Sequence, residues 1–436
     1  MSRYILSSFI ASTLLFLVIS AKTTTANEYV EALKELSAPL DHGLSTLYRK
    51  MADRRLVLLG ESSHGTSEYY RRRGEISRTL IESHGFSFIA VEGDWNAIHK
   101  LNQYVKRKPD SGNSAREIMS SFGRWPVWMW ANEETADLVE WLREWNAGRD
   151  DDKMAGIYGI DVYGKEDAIR ELPKLLALMG NDASGWIKDK YRCFDPYMQD
   201  IMMYAQARRM GMPSCGDAVR EVVQWLKNER ETMDVDAGVY LHMKQMAWVV
   251  KNGEKHISAM AQGGPDSWNH RVDHFYQTVD RLLDHYGNDA KGIVWAHNTH
   301  IGDARATAMI HRGQRNIGQL ARESIGRQDT FAVGFGTHRG VVFAGRVWGG
   351  AREAMNIPPA MPGSLEDMLF QAGSGDLLIV FEETPQVLQS PVGHRAIGVI
   401  YHPEHEAPGN YVPTILPERY DAFIFIEETE ALSALM

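Results

Sequence analysis

Residues 56–66 read Leu56-Val57-Leu58-Leu59-Gly60-Glu61-Ser62-Ser63-His64-Gly65-Thr66. Four apolar residues are followed at once by polar ones, and a helical pattern of apolar residues begins directly afterwards. This order is typical of a buried strand that turns into a helix. In an open α/β sheet, ligands bind at such turns, outside the carboxyl ends of the strands. The stretch therefore predicts an α/β fold with Glu61 and His64 in a loop suited to catalysis.

Three more short apolar runs end in a polar residue, as the first one does: Phe86–Val91 before Glu92, Gly156–Ile160 before Asp161, and Gly292–Ala296 before His297. Helical patterns separate the first three of these four runs, which is typical of a mainly parallel sheet. Further strands, some of them antiparallel, are predicted at Thr330–Gly336, Val341–Arg346, Leu377–Phe381, Ala396–Tyr401 and Ala422–Ile426. The predicted fold is a central, mostly parallel sheet flanked by helices.

Two parts of the chain show helical spacing instead. Tyr29–Met51 is predicted as one helix that covers a side of the sheet, and residues 165–287 carry no convincing strand pattern. The second part is expected to form a large helical insertion between strands three and four. The chain then divides into a signal peptide (1–26), an α/β catalytic domain (27–164 and 288–436) and the helical insertion (165–287).

The N-terminus has the pattern of an export signal. Arg3 is followed by the apolar stretch Ile5–Ile19 and by the small residues Thr24-Thr25-Ala26. So short a stretch favours a cleaved signal peptide and hence a periplasmic or secreted protein; an uncleaved membrane anchor is the alternative. No other apolar run in the sequence approaches membrane length. We therefore expect no stable membrane insertion after cleavage.

The charge and the cysteines set further limits. The 436 residues carry a net charge of −10, and no block of Lys or Arg stands out. This balance does not indicate binding to nucleic acid or to an anionic membrane surface. The two cysteines, Cys193 and Cys215, either form one disulfide, which export would permit, or are two buried thiols.

Polar residues from four chain segments are predicted to meet at one edge of the sheet, because they follow strands that run in parallel: Glu61, His64, Glu92, Asp161, His297 and His300. A neutral histidine can take a proton from water, and a carboxylate beside it fixes its tautomer and stabilises its charged form. His64 and Glu61 suit these roles, and Glu92 would position the water or the histidine. Arg73 or His297 would offset the charge that grows on a carbonyl oxygen.

Each of these residues also has a structural explanation. Glu61 and Ser62 can cap the following helix, a lone histidine can be structural, and Arg73 can simply be the salt-bridge partner of Glu92. Trp128 lies in the aromatic run of residues 122–130 and either packs in the core or forms a substrate wall.

A bound metal is a further alternative. The run His297-Asn298-Thr299-His300, together with the acids and His64, offers ligands of the kind that zinc and iron prefer. The His-x-x-His pair lies at a strand end, however, and the sequence contains no His-Glu-x-x-His motif. A serine nucleophile is less well supported, because no Gly-x-Ser-x-Gly elbow is present.

Several stretches resemble the erythromycin esterase family, a group of α/β hydrolases that includes macrolide-lactone-opening esterases. They are Gly60-Glu61-Ser62-Ser63-His64-Gly65-Thr66 with Arg73, Val91-Glu92-Gly93-Asp94-Trp95, Gly159-Ile160-Asp161-Val162-Tyr163, Trp295-Ala296-His297-Asn298-Thr299-His300, and the shorter stretches 193–197, 348–350, 395–401 and 420–423. The resemblance implies that His64 is the general base that activates water. It also places Glu61, Arg73, Glu92 and His297 in the active site, with His300 as their neighbour, and implies no metal or other cofactor.

The chain departs from the family in one stretch. The family has an acid directly after the arginine of Trp268-Asn269-His270-Arg271-Val272-Asp273-His274, where this chain has Val272, with Asp273 one residue later. If that acid orients a group in the site, the substrate geometry differs here.

The resulting hypothesis is a hydrolase that opens a small-molecule ester or macrolactone with a water activated by His64. His300, Asp161 and Trp128 are expected to contact the substrate. The alternatives are a metal-dependent hydrolase of peptide or phosphoester bonds, and a non-enzymatic envelope or biosynthesis-accessory protein that binds a ligand in the same cleft.

Overall fold

A computed structural model describes residues 26–435 and confirms the predicted α/β class. Its main sheet has nine strands in the order β1-β8-β11-β6-β2-β5-β3-β4, with β7 paired to β6; β9 and β10 form a separate two-stranded sheet. The strands are β1 (Ser37–Pro39), β2 (Leu56–Leu59), β3 (Phe88–Asp94), β4 (Gly156–Asp161), β5 (Gly292–Trp295), β6 (Thr330–Gly345), β7 (Arg352–Ile357), β8 (Leu377–Val380), β9 (Val392–Arg395), β10 (Tyr411–Thr414) and β11 (Ala422–Thr429). The six strands from β11 to β4 in this order all run in parallel, and β1, β7 and β8 pair antiparallel.

Helices cover both faces of this sheet. They are α1 (residues 26–36), α2 (Leu40–Met51), α3 (Ser67–His84), α4 (Trp95–Val105), α5 (Ala115–Met119), α6 (Glu133–Trp145), α7 (Lys165–Leu178), α8 (Ala183–Tyr191), α9 (Met202–Arg209), α10 (Gly216–Asn228), α11 (Ala237–Met260), α12 (Asp266–Tyr286), α13 (Asn298–Ile301), α14 (Ile317–Ser324), α15 (Leu365–Ala372), α16 (Glu406–Gly409) and α17 (Leu416–Arg419). Between β4 and β5 the chain forms six helices, α7 to α12, as the sequence predicts for this region.

The core consists of two apolar layers, one on each face of the sheet. Leu56 and Leu58 of β2 point into a layer shared with α7 and α10 to α12, whereas Val57 and Leu59 point into a layer shared with α2, α3 and α6. Side chains alternate between the faces of a strand, so a strand covered on both faces is apolar throughout. All four residues of β2 are buried, which explains the uninterrupted apolar run before Glu61.

The predicted helix Tyr29–Met51 is wrong at its centre. The strand β1 interrupts it and pairs antiparallel with β8 at the edge of the sheet. Pro39 explains the break, because proline lacks an amide hydrogen and disfavours helical backbone at the residue before it. A sheet edge tolerates such a residue.

Two predicted strand assignments in the C-terminal third also differ from the structure. Thr330–Gly336 and Val341–Arg346 are parts of the single long strand β6. Residues 396–401 are not a continuous strand and make two isolated bridges, from Ile397 to Ser63 and from Ile400 to Gly345. This segment crosses from β9 to β6 over the loop that follows β2, so each part of it meets a different partner.

Cys193 and Cys215 form a disulfide, with their Cα atoms 5.9 Å apart, within the helical region between β4 and β5. Within residues 26–435, no helix combines the length and the apolar composition that a bilayer crossing requires. The predicted signal peptide lies outside the described residues.

Candidate active site

The loop after β2 brings Glu61 and His64 together in a buried position. Glu61 Oε1 lies 2.9 Å from His64 Nδ1, and Glu61 Oε2 accepts a 2.7 Å hydrogen bond from Nη2 of Arg73 in α3. The guanidinium of Arg73 is completely buried and lies between the rings of Tyr70 and Trp295, 4.4 and 4.6 Å from their centres. Arg73 therefore contacts the site through Glu61, whose carboxylate it orients.

Backbone hydrogen bonds attach this loop to three other segments, and it meets one of them, β6, at two points. Val333 O accepts from Gly60 N at 2.9 Å, Glu61 O from Asn298 N at 2.8 Å, Ser62 O from Ile397 N at 2.7 Å, and Gly65 O from Phe343 N at 3.1 Å. The close approach at Gly65 requires glycine, since a Cβ atom there would lie 2.0 Å from Phe343 O. The loop is thus rigid, and the segment 396–401 is one of its supports.

Helix capping does not explain the polar residues of this loop. The residue that caps α3 is Thr66, and it makes no side-chain capping hydrogen bond. Ser62 Oγ instead lies 2.7 Å from Tyr69 OH. Both Glu61 oxygens are used by His64 and Arg73.

His64 has the arrangement of a general base. Because a carboxylate only accepts, Nδ1–H of His64 donates to Glu61, and this leaves Nε2 as the basic nitrogen. Burial lowers the pKa of His64, but the hydrogen bond and charge of Glu61, aided by Glu92, outweigh it and raise the pKa above its usual value. The imidazole side chain keeps 9% of its surface exposed, whereas Glu61 keeps 1%.

A second group of charges lies beside His64, at the ends of β3 and β4. Arg271 of α12 donates to both oxygens of Asp161, at 3.0 and 2.6 Å, and to Oε1 of Glu92 at 2.9 Å. His300 Nε2 lies 3.2 Å from the same Glu92 oxygen, and the His300 ring stacks on Trp268 with their centres 4.6 Å apart. A register shift in β3 between Val91 and Asp94 sets the direction of Glu92.

These contacts keep both acids ionised. Burial raises the pKa of Glu92, but His300 and then Arg271 outweigh it and hold the pKa well below its usual value. In Asp161 the same burial effect is outweighed by the charge and hydrogen bonds of Arg271, which lower the pKa. Three carboxylates, those of Glu61, Glu92 and Asp161, therefore face two guanidinium groups, those of Arg73 and Arg271.

His297 faces His64 as a neutral donor, and the two ring centres are 5.0 Å apart. Its Nδ1 accepts a 3.2 Å hydrogen bond from the backbone N–H of Thr299, so the ring proton of the neutral form is on Nε2. Burial, followed by the nearby charge of His64, lowers the pKa of His297 well below its usual value. The Nε2 atom is buried without a hydrogen-bond partner in the described part of the chain. A proton on Nε2 therefore has no acceptor at hydrogen-bond geometry in this part of the chain, and burial outweighs the nearby backbone of Ser62, which alone would raise the pKa of His297.

A second buried Glu–His pair lies behind the loop and has a different environment. His394 Nδ1 lies 2.5 Å from Glu366 Oε1, and His394 Nε2 lies 3.2 Å from the side-chain amide of Asn298. Asn298 in turn donates its backbone N–H to Glu61. Both nitrogens of His394 have protein partners, so this pair supports the loop rather than reacting.

The structure thus brings together every predicted site residue except Trp128. Trp128 is 3% exposed and lies in the apolar layer with α3 and α6. Its neighbour Trp125 is the tryptophan of that run that lies closer to the surface. Trp128 therefore packs in the core, whereas Trp125 is the better candidate for a wall of the substrate site.

Arg271 was not predicted as a site residue, although it lies in the stretch 268–274 that resembles the family. The guanidinium contacts residues 110 and 179 positions away, and no local pattern indicates such contacts. The acid one place after the expected position, Asp273, points elsewhere and binds Arg315. Val272 is buried. Asp161 and Glu92 provide the carboxylates around Arg271.

Among residues 26–435, no three His, Cys, Asp or Glu side chains are arranged so that they could hold a metal ion. The four carboxylate oxygens of Glu61 and Glu92 each have a protein donor: His64 Nδ1, Arg73 Nη2, Arg271 Nη2 and the backbone N–H of His297.

The chain is similar to known proteins over most of its length, at low sequence identity. The chain is 21% identical over 441 residues to a putative hydrolase, YbfO of Bacillus subtilis (strain 168), across 94% of this chain and 93% of that protein. It is 22% identical over 369 residues to the erythromycin esterase type II of Escherichia coli, across 79% of this chain and 84% of that protein. A crystal structure from Bacillus cereus has the same fold, with a TM-score of 0.78 at 16% identity, over 94% of this chain and 99% of that one.

The family model of erythromycin esterase matches residues 81–429. This range includes Glu92, Asp161, Arg271 and His297, whereas the loop with Glu61 and His64 precedes it. Since the match covers most of the sequence, the chain belongs to the erythromycin esterase family.

Proposed function

We propose that this protein hydrolyses a carboxylic ester or a macrolactone by means of a water molecule activated by His64. The observation that supports this most directly is the pair of histidines at the loop. His64 is oriented by Glu61 with its basic Nε2 available, and His297 offers an unpartnered Nε2–H from a ring centred 5.0 Å away. A base and a hydrogen-bond donor are thus close enough to act on one small group.

The reaction follows from these two positions. Nε2 of His64 takes a proton from water as the water oxygen bonds to the carbonyl carbon, and the carbonyl oxygen becomes an oxyanion that accepts from Nε2–H of His297. The carbon–oxygen bond of the ester then breaks, and His64 returns the proton to the leaving alcohol oxygen. The products are an acid and an alcohol, or one hydroxy acid from a lactone. Glu61 stabilises the charged His64 between the two proton transfers.

The other charged groups have supporting roles in this proposal. Glu92 accepts the backbone N–H of His297 at 3.0 Å and so fixes the donor. Arg271 holds Glu92 and Asp161, and its Nη1 lies 3.5 Å from Nε2 of His300. Asp161, His300 and Arg271 together form the wall that a polar part of the substrate would meet.

Purified protein should add one water to ester substrates, measured by the mass of the product. The panel includes erythromycin and simple aryl esters, each with and without a chelator. Wild-type activity that persists with the chelator supports the proposed mechanism, and activity that vanishes with it would favour the metal-dependent alternative. Binding without turnover across a broad panel would favour the non-enzymatic alternative.

We also propose that the protein is exported. The pattern of residues 1–26 supports this, and so does the disulfide between Cys193 and Cys215, since disulfides persist in oxidising compartments. N-terminal sequencing of the protein from a cell-envelope or secreted fraction is expected to begin near residue 27. A full-length chain found only in the cytoplasm would contradict export.

A further inference from the structure

An exposed group of apolar side chains lies on the hairpin between β6 and β7. Val347 and Trp348 are 62% and 59% exposed, and Ile400, on the segment bridged to the base of this hairpin, is 37% exposed. Large apolar side chains gathered on a surface usually mark a binding site, because water contact with them is unfavourable.

This group is connected to the candidate active site through aromatic rings. The Trp348 ring centre is 4.8 Å from that of Trp125 and 6.3 Å from that of Tyr163. The guanidinium of Arg271 lies over the Tyr163 ring at 4.9 Å and also binds Glu92. An aromatic rim, which we define as Trp125, Tyr163 and Trp348, therefore leads from the surface to the charged wall of the site.

The hairpin between β6 and β7, which carries Trp348, is joined to Trp125 and to the segment 396–401 by hydrogen bonds. Nε1–H of Trp125 donates to Gly350 O at 2.8 Å, and Gly345 at the base of the hairpin exchanges hydrogen bonds with Val399 and Tyr401 at 2.8 and 3.0 Å. The neighbouring Arg346 is paired with the carboxylates of Glu353 and Glu404. A rigid aromatic surface binds an apolar group at low entropic cost.

A cleft of about 710 Å³ lies next to the rim: Arg124, Pro126 and Gly164 line it, whereas the three rim residues do not. Arg124 lines this cleft and lies over the Tyr163 ring at 4.9 Å, while Arg271 lies over the same ring at the same distance. The two guanidinium groups thus share the Tyr163 ring, and the cleft that Arg124 lines has the size that drug-sized ligands occupy.

We propose that the aromatic rim binds a large apolar part of the ester substrate, with Trp348 as the main contact, and so selects bulky esters over small ones. This inference rests on the proposed function and adds the substrate class. It predicts that Trp348 affects substrate binding and leaves the proton transfers of His64 unchanged.

The test compares an aryl acetate with the matched aryl decanoate. In Trp348→Ala we expect KM for the decanoate to rise about tenfold, consistent with the loss of one aromatic contact, while kcat/KM for the acetate stays within about twofold. Trp348→Phe keeps an aromatic ring and is expected to restore most of the binding. Trp186→Ala is the matched control, because Trp186 is also partly exposed but packs against Trp225 in the helical region.

A binding measurement separates failure of this inference from failure of the proposed function. Wild type and Trp348→Ala are titrated with erythromycin by calorimetry, in a His64→Ala background that prevents turnover. Weaker binding in the Trp348 variant supports the rim even if neither ester is hydrolysed, and in that case only the proposed function fails. If Trp348→Ala changes neither the decanoate KM nor erythromycin binding, or if Trp186→Ala has the same effect, the inference is overturned.

Discussion

His64→Ala should lower kcat/KM for ester hydrolysis by about 10²- to 10⁴-fold, the range that a general base contributes. The variant loses the only nitrogen that is both oriented by a buried carboxylate and available to a water molecule in the loop after β2. Initial rates on an aryl ester measure the effect. Glu61 keeps its ion pair with Arg73 in this variant, so we expect the protein to remain folded.

The pH profile distinguishes a base from a merely structural histidine. Only the neutral form of His64 can take a proton, and Glu61 raises its pKa, so wild-type kcat/KM should fall as the pH drops through a value above the usual histidine pKa. Glu61→Gln removes the negative charge. In that variant the acid limb should shift to lower pH, and the maximal rate should also fall because charged His64 is no longer stabilised.

The control for His64 is the exposed His42 of α2, where His42→Ala should leave both the rate and its pH profile unchanged. Circular dichroism and thermal melting verify that each variant is folded. Undiminished hydrolysis in folded His64→Ala would rule out the general-base role, and an acid limb that stays in place in Glu61→Gln would rule out the coupling between the two side chains.

The sequence was sufficient to place most of the site because parallel strands deliver their carboxyl ends to one edge. Glu61 and His297 follow buried strands, Glu92 and Asp161 lie at the carboxyl ends of theirs, and β2, β5, β3 and β4 are neighbours in the sheet. The strand order itself could not be predicted, because it depends on contacts between distant segments. The sequence therefore predicted that these residues lie close together, but not which side chains each of them contacts.

The features that the sequence did not predict correctly also depend on contacts between distant segments. Arg271 is on a helix whose local pattern gives no sign that its side chain binds two buried acids. Residues 396–401 have the composition of a strand, but they meet Ser63 and Gly345 in turn and form only isolated bridges. In the aromatic run, alternation and composition could not decide between Trp125 and Trp128, since a loop with Pro126 has no regular period.

Arg271→Met is expected to have the largest effect on stability, about 3–5 kcal/mol, because it leaves buried carboxylates without their counter-charge. The side chains of Asp161 and Glu92 are only 2% and 4% exposed. Hydrolysis should also be lost, since Glu92 fixes the backbone of His297. Urea unfolding measures the free energy of unfolding, and Arg315→Met is the control. Arg315 pairs with Asp273 where both side chains are partly exposed, 43% and 23%, so its loss should cost less than about 1 kcal/mol.

The pH dependence of the stability lost in Arg271→Met shows whether the loss is electrostatic. In the wild type the pKa of Asp161 and of Glu92 is lowered in the folded state, so their contribution to stability is present above the unfolded pKa and is lost as the pH falls through the folded value. Without Arg271, burial dominates for Asp161 and raises its folded pKa, so stability should instead fall as the pH rises above the unfolded value. The deficit of Arg271→Met should therefore be larger at about pH 8 than at about pH 5. Adding Asp161→Asn removes one buried charge and should recover part of the stability at the higher pH. A deficit that is equal at both pH values and unaffected by Asp161→Asn would mean that Arg271 contributes through packing on Tyr163 and Phe275 instead.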